Sequence, residues 1–558
     1  MNRKASLILT ALELNPESGF APKLISTLRE GYSWQTFLVD ALAGLTVAIV
    51  ALPLSMAIAI ASHVSPDRGL FTAIIGGFIV SALGGSRFQI GGPAGAFIIV
   101  IASIVDRQGV DGLLLATFMA GIFIFAVGAL RLGSYIKYVP HPVTVGFTSG
   151  IAIIIFASQI KELLGLKLAG GEPGALLPKL HALWQAGPSF NVNALAIAAL
   201  TIAIILAMRK FLPRWPAFLI AVTIASLAAF LFHINAETIF NRFGGIPSSL
   251  PAPHMPAFSF EKITTLLPDA LTIALLGSIE SLLSAVVADG MTGRHHRSNT
   301  ELVAQGLANI GCAFFGGIVA TGTIARTATN VRAGAHGPVA GMLHSAYLLL
   351  LMLVAAPLAG YIPLAALAGI LVIVCWNMAD RLEFKTILTS SRGEAVVLLA
   401  TFLLTIFRDL TTGILVGVTL GSLVFMHRMA QGVSVRKAEA EDDPDADIVV
   451  QHISGAFFFG AASKVASILE RIDDVPKGFI LDLADVPFVD YSAAHSLEGF
   501  LKKTAKLNVP VFLTGASVHV RRELIRFGIK KPKVGYGHTI ETCKHAIRHG
   551  LEIDELAD

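Results

Sequence analysis

The sequence predicts an α-helical polytopic membrane protein of fourteen segments, built as a seven-plus-seven inverted repeat and followed by a separate α/β domain. Three observations carry this. The mean hydropathy is +0.71 with only 14% charged residues, and apolar runs of about 20 residues recur, the length a helix needs to cross a bilayer core. Two segments at matching places are short and follow glycine-rich approaches. After Arg428 the composition turns mixed and acidic.

The segments fall near 39–62, 69–84, 93–105, 112–132, 142–163, 191–208, 216–232, 269–289, 301–315, 324–332, 338–359, 362–377, 393–408 and 411–428. The third and tenth are too short to cross about 30 Å of hydrocarbon as helix alone. They follow "ALGGSRFQIGGP" and "FFGGIVATGT". Unwound backbone at membrane depth is tolerated only inside protein or beside a wet cavity. The two breaks are third in each set of seven. Seven is odd, so the second set enters from the opposite side, the pattern of an inverted-repeat transporter with its site at the repeat interface.

The domains expected are a cytoplasmic N-terminal segment (1–38), membrane repeat 1 (39–232), an extracytoplasmic connection (233–268) and membrane repeat 2 (269–430), then a linker (431–447) and an α/β domain (448–555). The N-terminal segment lacks a signal-peptide pattern. Arg87, Arg131, Lys137, Arg209, Lys210, Arg214, Arg294, Arg297, Arg381, Lys385 and Arg392 lie on one set of connections. By the positive-inside rule that set is cytoplasmic, and so are both termini. In the tail, "DIVVQHIS", "FFFGA", "GFILDLADVPFV" and "VPVFLTG" read as strands. Residues 461–472 and "SAAHSLEGFLKKTAKL" read as helices.

A half-helix offers unsatisfied N–H groups and partial positive charge at its first turn. Pro93 suits the first turn of segment three. If the N-termini of segments three and ten face each other, the gap attracts an oxyanion. Ala94, Gly95 and Ala96 on one side, and Thr323, Ile324 and Ala325 on the other, are small or well placed enough to let it reach backbone. Arg326 adds a fixed positive charge, unless it pairs with a buried acid or snorkels to an interface. Thr321, Thr327 and Thr329 either contact the ligand or satisfy helix carbonyls. Glu280 lies mid-membrane in segment eight, where an ionised carboxylate is unfavourable unless paired; it suits proton loading, or a static ion pair with Arg326. Ser284, one turn on, shares its face.

Cys312, Cys375 and Cys543 match no metal or redox spacing. No Walker motif or catalytic constellation appears, so neither an enzyme nor a cofactor is expected. The net charge of +4 and the lack of a basic tract speak against nucleic acid.

The stretches "GLTVAIVALPLSMAIAIA", "GGSRFQIGGPAGAF", "VGFTSGIAI", "NTELVAQGLANI" and "GTIARTATNVRAGA" together resemble the SulP family of anion transporters, and the tail resembles a STAS domain. "GSIESLLSAVVADGMTGRHHRSNTELVAQGLANI" is most similar to the C4-dicarboxylate carriers of that family. The resemblance implies core and gate subdomains, a homodimer in the bacterial inner membrane, and proton-coupled uptake of succinate, fumarate, malate or aspartate. It implies a substrate site on Ser55, Ala94, Gly95, Gly322, Thr323, Ile324, Ala325 and Arg326, with Glu280 and Ser284 for the coupling proton. Glutamate at 280 points to protons rather than sodium. Bicarbonate- and sulfate-transporting symporters or exchangers, and an uncoupled anion channel, are the alternatives on the same architecture. "FVDYSAAHS" departs from the phosphorylatable pattern of soluble STAS relatives, which leaves a scaffold role for the tail.

Overall fold

The computed structural model describes residues 20–136, 139–169, 172–173, 175–212, 215–437, 447–459 and 476–550. The chain divides into two compact units after Val418.

The principal helices of the membrane unit are α1 (Trp34–Ala61), α2 (Pro66–Leu83), α3 (Gly95–Ala129), α4 (His141–Leu164), α5 (Leu176–Gln185), α6 (Val192–Phe211) and α7 (Ala217–Leu231). They continue as α8 (Phe260–Thr292), α9 (Ser298–Phe314), α10 (Ile324–Arg332), α11 (Pro338–Ala359), α12 (Leu364–Met378), α13 (Arg392–Phe407) and α14 (Leu410–Gln431). Helix α3 is two arms, because Gly109 at φ 68° reverses the chain within it. Only glycine takes that conformation freely. With α3 counted as two arms and amphipathic α5 set apart, the fourteen expected segments are all present. Nine of the described helices are long and apolar enough to cross a bilayer alone.

These helices pack as two bundles. One holds α1, α2, α3, α8, α9, α10 and α11; the other holds α4, α6, α7, α12, α13 and α14. A seam runs between them where α1 meets α7 and α12, and where α3 meets α4. Small residues set the closest approaches. A methyl on Gly306 of α9 would lie 2.5 Å from the Phe125 nitrogen of α3. Backbones this close gain dispersion contacts where no hydrophobic effect drives association.

Basic connections gather on one face. There Arg87 and Arg294 reach Glu30, Arg297 donates to the Ala21 carbonyl at 2.6 Å, and the His336 N–H donates to Asp40 at 2.6 Å. At the opposite face the Ile239 N–H meets the Ile362 carbonyl and the His254 N–H meets that of Phe314.

Strands β1 (Gly91–Gly92) and β2 (Thr321–Gly322) belong to the membrane unit, and the C-terminal unit is a five-stranded sheet in order β3-β4-β5-β6-β7. Strands β3 (Ser434–Lys437) and β4 (Ile448–Ser454) are antiparallel. Strands β5 (Gly478–Asp485), β6 (Val511–Thr514) and β7 (Gly535–Tyr536) continue in parallel. Parallel strands covered on both faces need near-continuous apolar runs, and β6 is buried throughout. Helices α15 (Tyr491–Lys506), α16 (Val518–Arg526) and α17 (Ile540–Arg548) accompany the sheet. Phe479 packs edge-on to Phe500 at 5.2 Å in its core.

Three readings change here. Strand β3 lies inside the stretch read as linker, completing the sheet edge. In "FFFGA", Phe457 makes only an isolated bridge to Val489 and Phe459 is already helical. "GFILDLADVPFV" stops being strand after Asp485. The helix read over 461–472, residues 1–19 and most of the acidic linker lie outside the described residues.

Candidate functional site

Two short strands meet in the middle of the first bundle. In β1 (Gly91–Gly92) and β2 (Thr321–Gly322), Gly91 pairs with Gly322 and Gly92 with Thr321, antiparallel. A half-helix leaves each strand. The first arm of α3 runs to the opposite face, and α10 runs back to the basic face. Their N-termini therefore start from one paired ribbon near mid-depth.

Side chains hold this ribbon. The Thr323 N–H donates to the Ile90 carbonyl at 3.1 Å, and the Ile90 N–H donates to Thr327 Oγ1 at 3.2 Å. Ser284 donates to that same Thr327 oxygen at 3.0 Å, and Thr321 to the Gly277 carbonyl at 3.2 Å. Gln89 Nε2 donates to Ser281 Oγ at 2.7 Å, and Asn330 to the Phe88 carbonyl at 2.9 Å. Buried backbone outside a regular helix needs such partners. A side chain at Gly322 would collide with Gln89, and one at Gly92 with the Arg326 guanidinium.

Arg326 is 1% exposed. Its Nη2 donates to Ser55 Oγ at 3.1 Å and to the Pro93 carbonyl at 3.3 Å. Its Nε and Nη1 are buried with no hydrogen-bond partner among the described residues. Ala94 caps the start of α3 and Thr323 that of α10. Ile324, 40% exposed, marks the open side of the gap. Across the seam, a methyl on Gly95 would sit 3.4 Å from Met378 Sδ and 3.7 Å from Ile155 Cδ1. The site is thus a small cleft with a cationic floor, two helix N-termini and an apolar far wall.

The expected residues come together with adjustments. Ser55, Ala94, Gly95, Gly322, Thr323, Ile324, Ala325 and Arg326 surround this ribbon. Pro93 precedes the cap and offers its carbonyl to Arg326, so it does not open the helix. Ser284 is bonded to Thr327 and steadies the ribbon. Thr321 and Thr329 satisfy carbonyls, Thr329 that of Ala325 at 2.7 Å. Glu280 makes no ion pair with Arg326, and its Oε2 is buried without a partner. It lies one turn from both Gly277 and Ser284, on the α8 face toward β2 and α10. Thr327, expected to contact the ligand or satisfy a helix carbonyl, instead accepts from the Ile90 N–H and Ser284; Gln89, Ile155 and Met378 were missing from the expected set. Gln89 sits inside the quoted glycine-rich approach, which was a signal; Ile155 and Met378 carry none, because only tertiary packing brings them here.

Fold and site define a helical membrane protein of two inverted repeats with a half-helix pocket between them. A model of the sulfate permease family matches residues 37–401, and one of the STAS domain matches residues 437–543. The chain belongs to the sulfate permease family. It is 40% identical over 517 residues to the "Putative sulfate transporter YvdB" of Bacillus subtilis (strain 168), covering 91% of this chain and 97% of that one. It is 30% identical to the bicarbonate transporter BicA of Picosynechococcus (strain ATCC 27264 / PCC 7002 / PR-6), covering 88% and 91%. The solved structure of SLC26A9 shares the fold, with a TM-score of 0.84 at 17% identity over 99% of this chain and 96% of that one. These relatives bear sulfate and bicarbonate names, so the expected resemblance to C4-dicarboxylate carriers is not supported.

Proposed function

We propose that this protein is a secondary carrier of a small inorganic oxyanion, of the bicarbonate or sulfate class, in the bacterial cytoplasmic membrane. The observation that carries the reading is Arg326: a fully buried guanidinium whose Nε and Nη1 find no acceptor among the described residues. A buried cation is costly unless compensated, and an anion between the two helix N-termini compensates it. Ser55 and the Pro93 carbonyl hold the guanidinium in place. The anion bonds to the first-turn N–H groups of α10 and α3. Met378 and Ile155 leave little room above Gly95, which favours a compact ion over a four-carbon chain.

The basic face is cytoplasmic on this reading. Glu280 carries the coupling proton, exchanging it as the pocket fills and empties. Purified full-length protein in proteoliposomes, given labelled bicarbonate, sulfate and succinate under an imposed pH gradient, tests the assignment. Accumulation of bicarbonate or sulfate in excess of succinate is expected. Accumulation of succinate alone would overturn the small-oxyanion reading.

A further inference from the structure

A second charged cluster lies at the other end of the seam, on the face opposite the basic one. His63 follows the end of α1 at φ 61°, a left-handed position that usually falls to glycine after a helix. Its Nδ1 is 2.9 Å from Asp106 Oδ1 on the first arm of α3, within the same bundle. Its Nε2 is 3.7 Å from Glu172 Oε2, in the connection between α4 and α5. Glu172 Oε1 is in turn 2.8 Å from Lys179 Nζ on α5, and Lys179 donates to Ser158 Oγ of α4 at 2.6 Å. Glu172 and Lys179 belong to the second bundle, and only 8% and 7% of their side chains are exposed. The imidazole therefore spans the seam, with a carboxylate from each bundle on its two nitrogens.

We propose that His63, Asp106 and Glu172 form a proton-operated latch that closes the seam on the face opposite the basic loops and opens when His63 loses its proton. The proposal rests on the carrier reading, in which one bundle moves against the other and each end of the seam must part in turn. Both ring nitrogens carry protons only in the imidazolium form, so only that form presents a hydrogen bond to Asp106 and a charge and N–H to Glu172, 3.7 Å away, at once. Neutral imidazole keeps one donor, and an unbonded contact then faces a carboxylate lone pair. Placement at the end of α1 also favours the cation, through the helix dipole. The charged groups facing His63 are Asp106 and Glu172, with Lys179 behind Glu172. The Glu172 carboxylate, working against burial and helped by Asp106, raises the His63 pKa above the ordinary histidine value. The latch is therefore closed in mildly acidic surroundings and loosens as the pH rises past that raised value.

The experiment is a spin-label distance across the seam in the full chain in lipid nanodiscs, with Cys312, Cys375 and Cys543 replaced. One label goes on Gln108→Cys of the first bundle and one on His181→Cys of the second; both positions are exposed. A single short distance is expected at pH 5.5, with a longer population growing in as the pH is raised. Glu172→Gln should show the longer population at every pH. Asp106→Asn should keep the transition but move its midpoint to lower pH, which a merely structural contact would not do. Identical distance distributions in Glu172→Gln and the parent at all pH values, with both proteins monodisperse, would overturn the latch. Because the distances are read without any substrate, that failure is distinguishable from a failure of anion uptake, which the proteoliposome assay reads separately.

Discussion

Arg326 and Ser55 come from the tenth and first membrane segments, 271 residues apart in the chain, and are joined by one hydrogen bond of 3.1 Å, with no ion pair to Arg326 among the described residues. A guanidinium held by a hydroxyl and a carbonyl keeps its full charge for a ligand, whereas one paired to an acid would not. Arg326→Lys should cut anion uptake at saturating anion by about tenfold or more. Nη2 alone holds Ser55 and Pro93 while Nε and Nη1 stay available to the ligand, and a lysine's single nitrogen cannot do both. Ser55→Ala removes one bond to a charged group, which is worth about 1.5–3 kcal/mol. It should raise the half-saturating anion concentration and lower the melting temperature of the anion-free protein. Uptake kinetics of both variants under the same gradient decide the matter.

Gly92 lies against the same guanidinium, and a methyl there takes the space that Nη1 occupies. Gly92→Ala is expected to displace Arg326 and destabilise the membrane unit by about 1–3 kcal/mol, the usual penalty for overpacking. Gly95→Ala makes a contact of ordinary length with Met378 and should fold normally, losing uptake alone. Thermal unfolding of the two variants beside the parent, together with uptake, separates the effects. Equal melting of all three would remove the packing argument.

Much of this site was readable as sequence, and the unread part has a common cause. The Gly-rich approach, the threonines and Arg326 place the tenth half-helix at 324–332, where α10 lies, because short span length and broken backbone are local signals. Which groups satisfy that broken backbone is a tertiary fact. Ser284 shares a helical face with Glu280, yet its hydroxyl goes to Thr327, which tethers the Ile90 amide. Pro93 has the chemistry of a first-turn residue, but β1 pairing displaces the helix start to Ala94 and beyond. Strand β3 escaped notice because four residues beside an acidic run carry too little alternation to register. Phe457 to Phe459 are aromatic enough for a strand, and Asp490 overrides that by accepting the Phe459 N–H at 2.9 Å.

Asp490 also caps α15, accepting the Ala493 N–H at 2.8 Å. Replacing it with alanine leaves both donors without their acceptor, at a cost of about 1 kcal/mol for the cap. Asp490→Ser should recover most of that loss, because a hydroxyl can still serve as the cap. Chemical denaturation followed by a probe in the STAS domain of the full chain measures it. A serine variant no better than alanine would mean that the capping bond contributes nothing.

The stability of the seam should depend on pH in a defined sense. Burial would raise the Glu172 pKa, but His63 and Lys179 overcome it and bring it down to about 2. A carboxyl held lower in the folded chain than its ordinary 4.5 contributes stability that is present above pH 4.5 and fades as the pH falls toward 2. His63 is shifted upward, so its contribution is complete below 6.5 and fades as the pH climbs through its folded value. The cluster is therefore strongest between about pH 4.5 and 6.5. Glu172→Gln leaves Lys179 buried without its counter-charge, a defect of about 3–5 kcal/mol in comparable settings. The melting temperature of the variant should trail the parent most in that window, with the gap closing near pH 2.5. A gap that stays constant from pH 2.5 to 8 would assign the loss to packing and take the charges out of the account.

Glu280 supplies the test of coupling, as distinct from binding. Its Oε2 has no partner, and Arg326, the nearest candidate by sequence, is bonded elsewhere. Glutamine matches its shape and cannot exchange a proton, so Glu280→Gln should leave the pocket and the fold in place. Binding of the transported anion, measured by calorimetry at fixed pH, should change by less than about threefold, a difference below 1 kcal/mol. Concentrative uptake under a pH gradient should disappear, while downhill exchange of labelled for unlabelled anion persists, since exchange needs no net proton movement. If the variant still accumulates anion against its gradient, Glu280 is a structural polar residue of α8 and the driving ion binds elsewhere. If exchange is lost as well, the carboxyl is part of the anion site itself, and its buried oxygen must be counted with Ser55 and Arg326 as a group that positions the ligand.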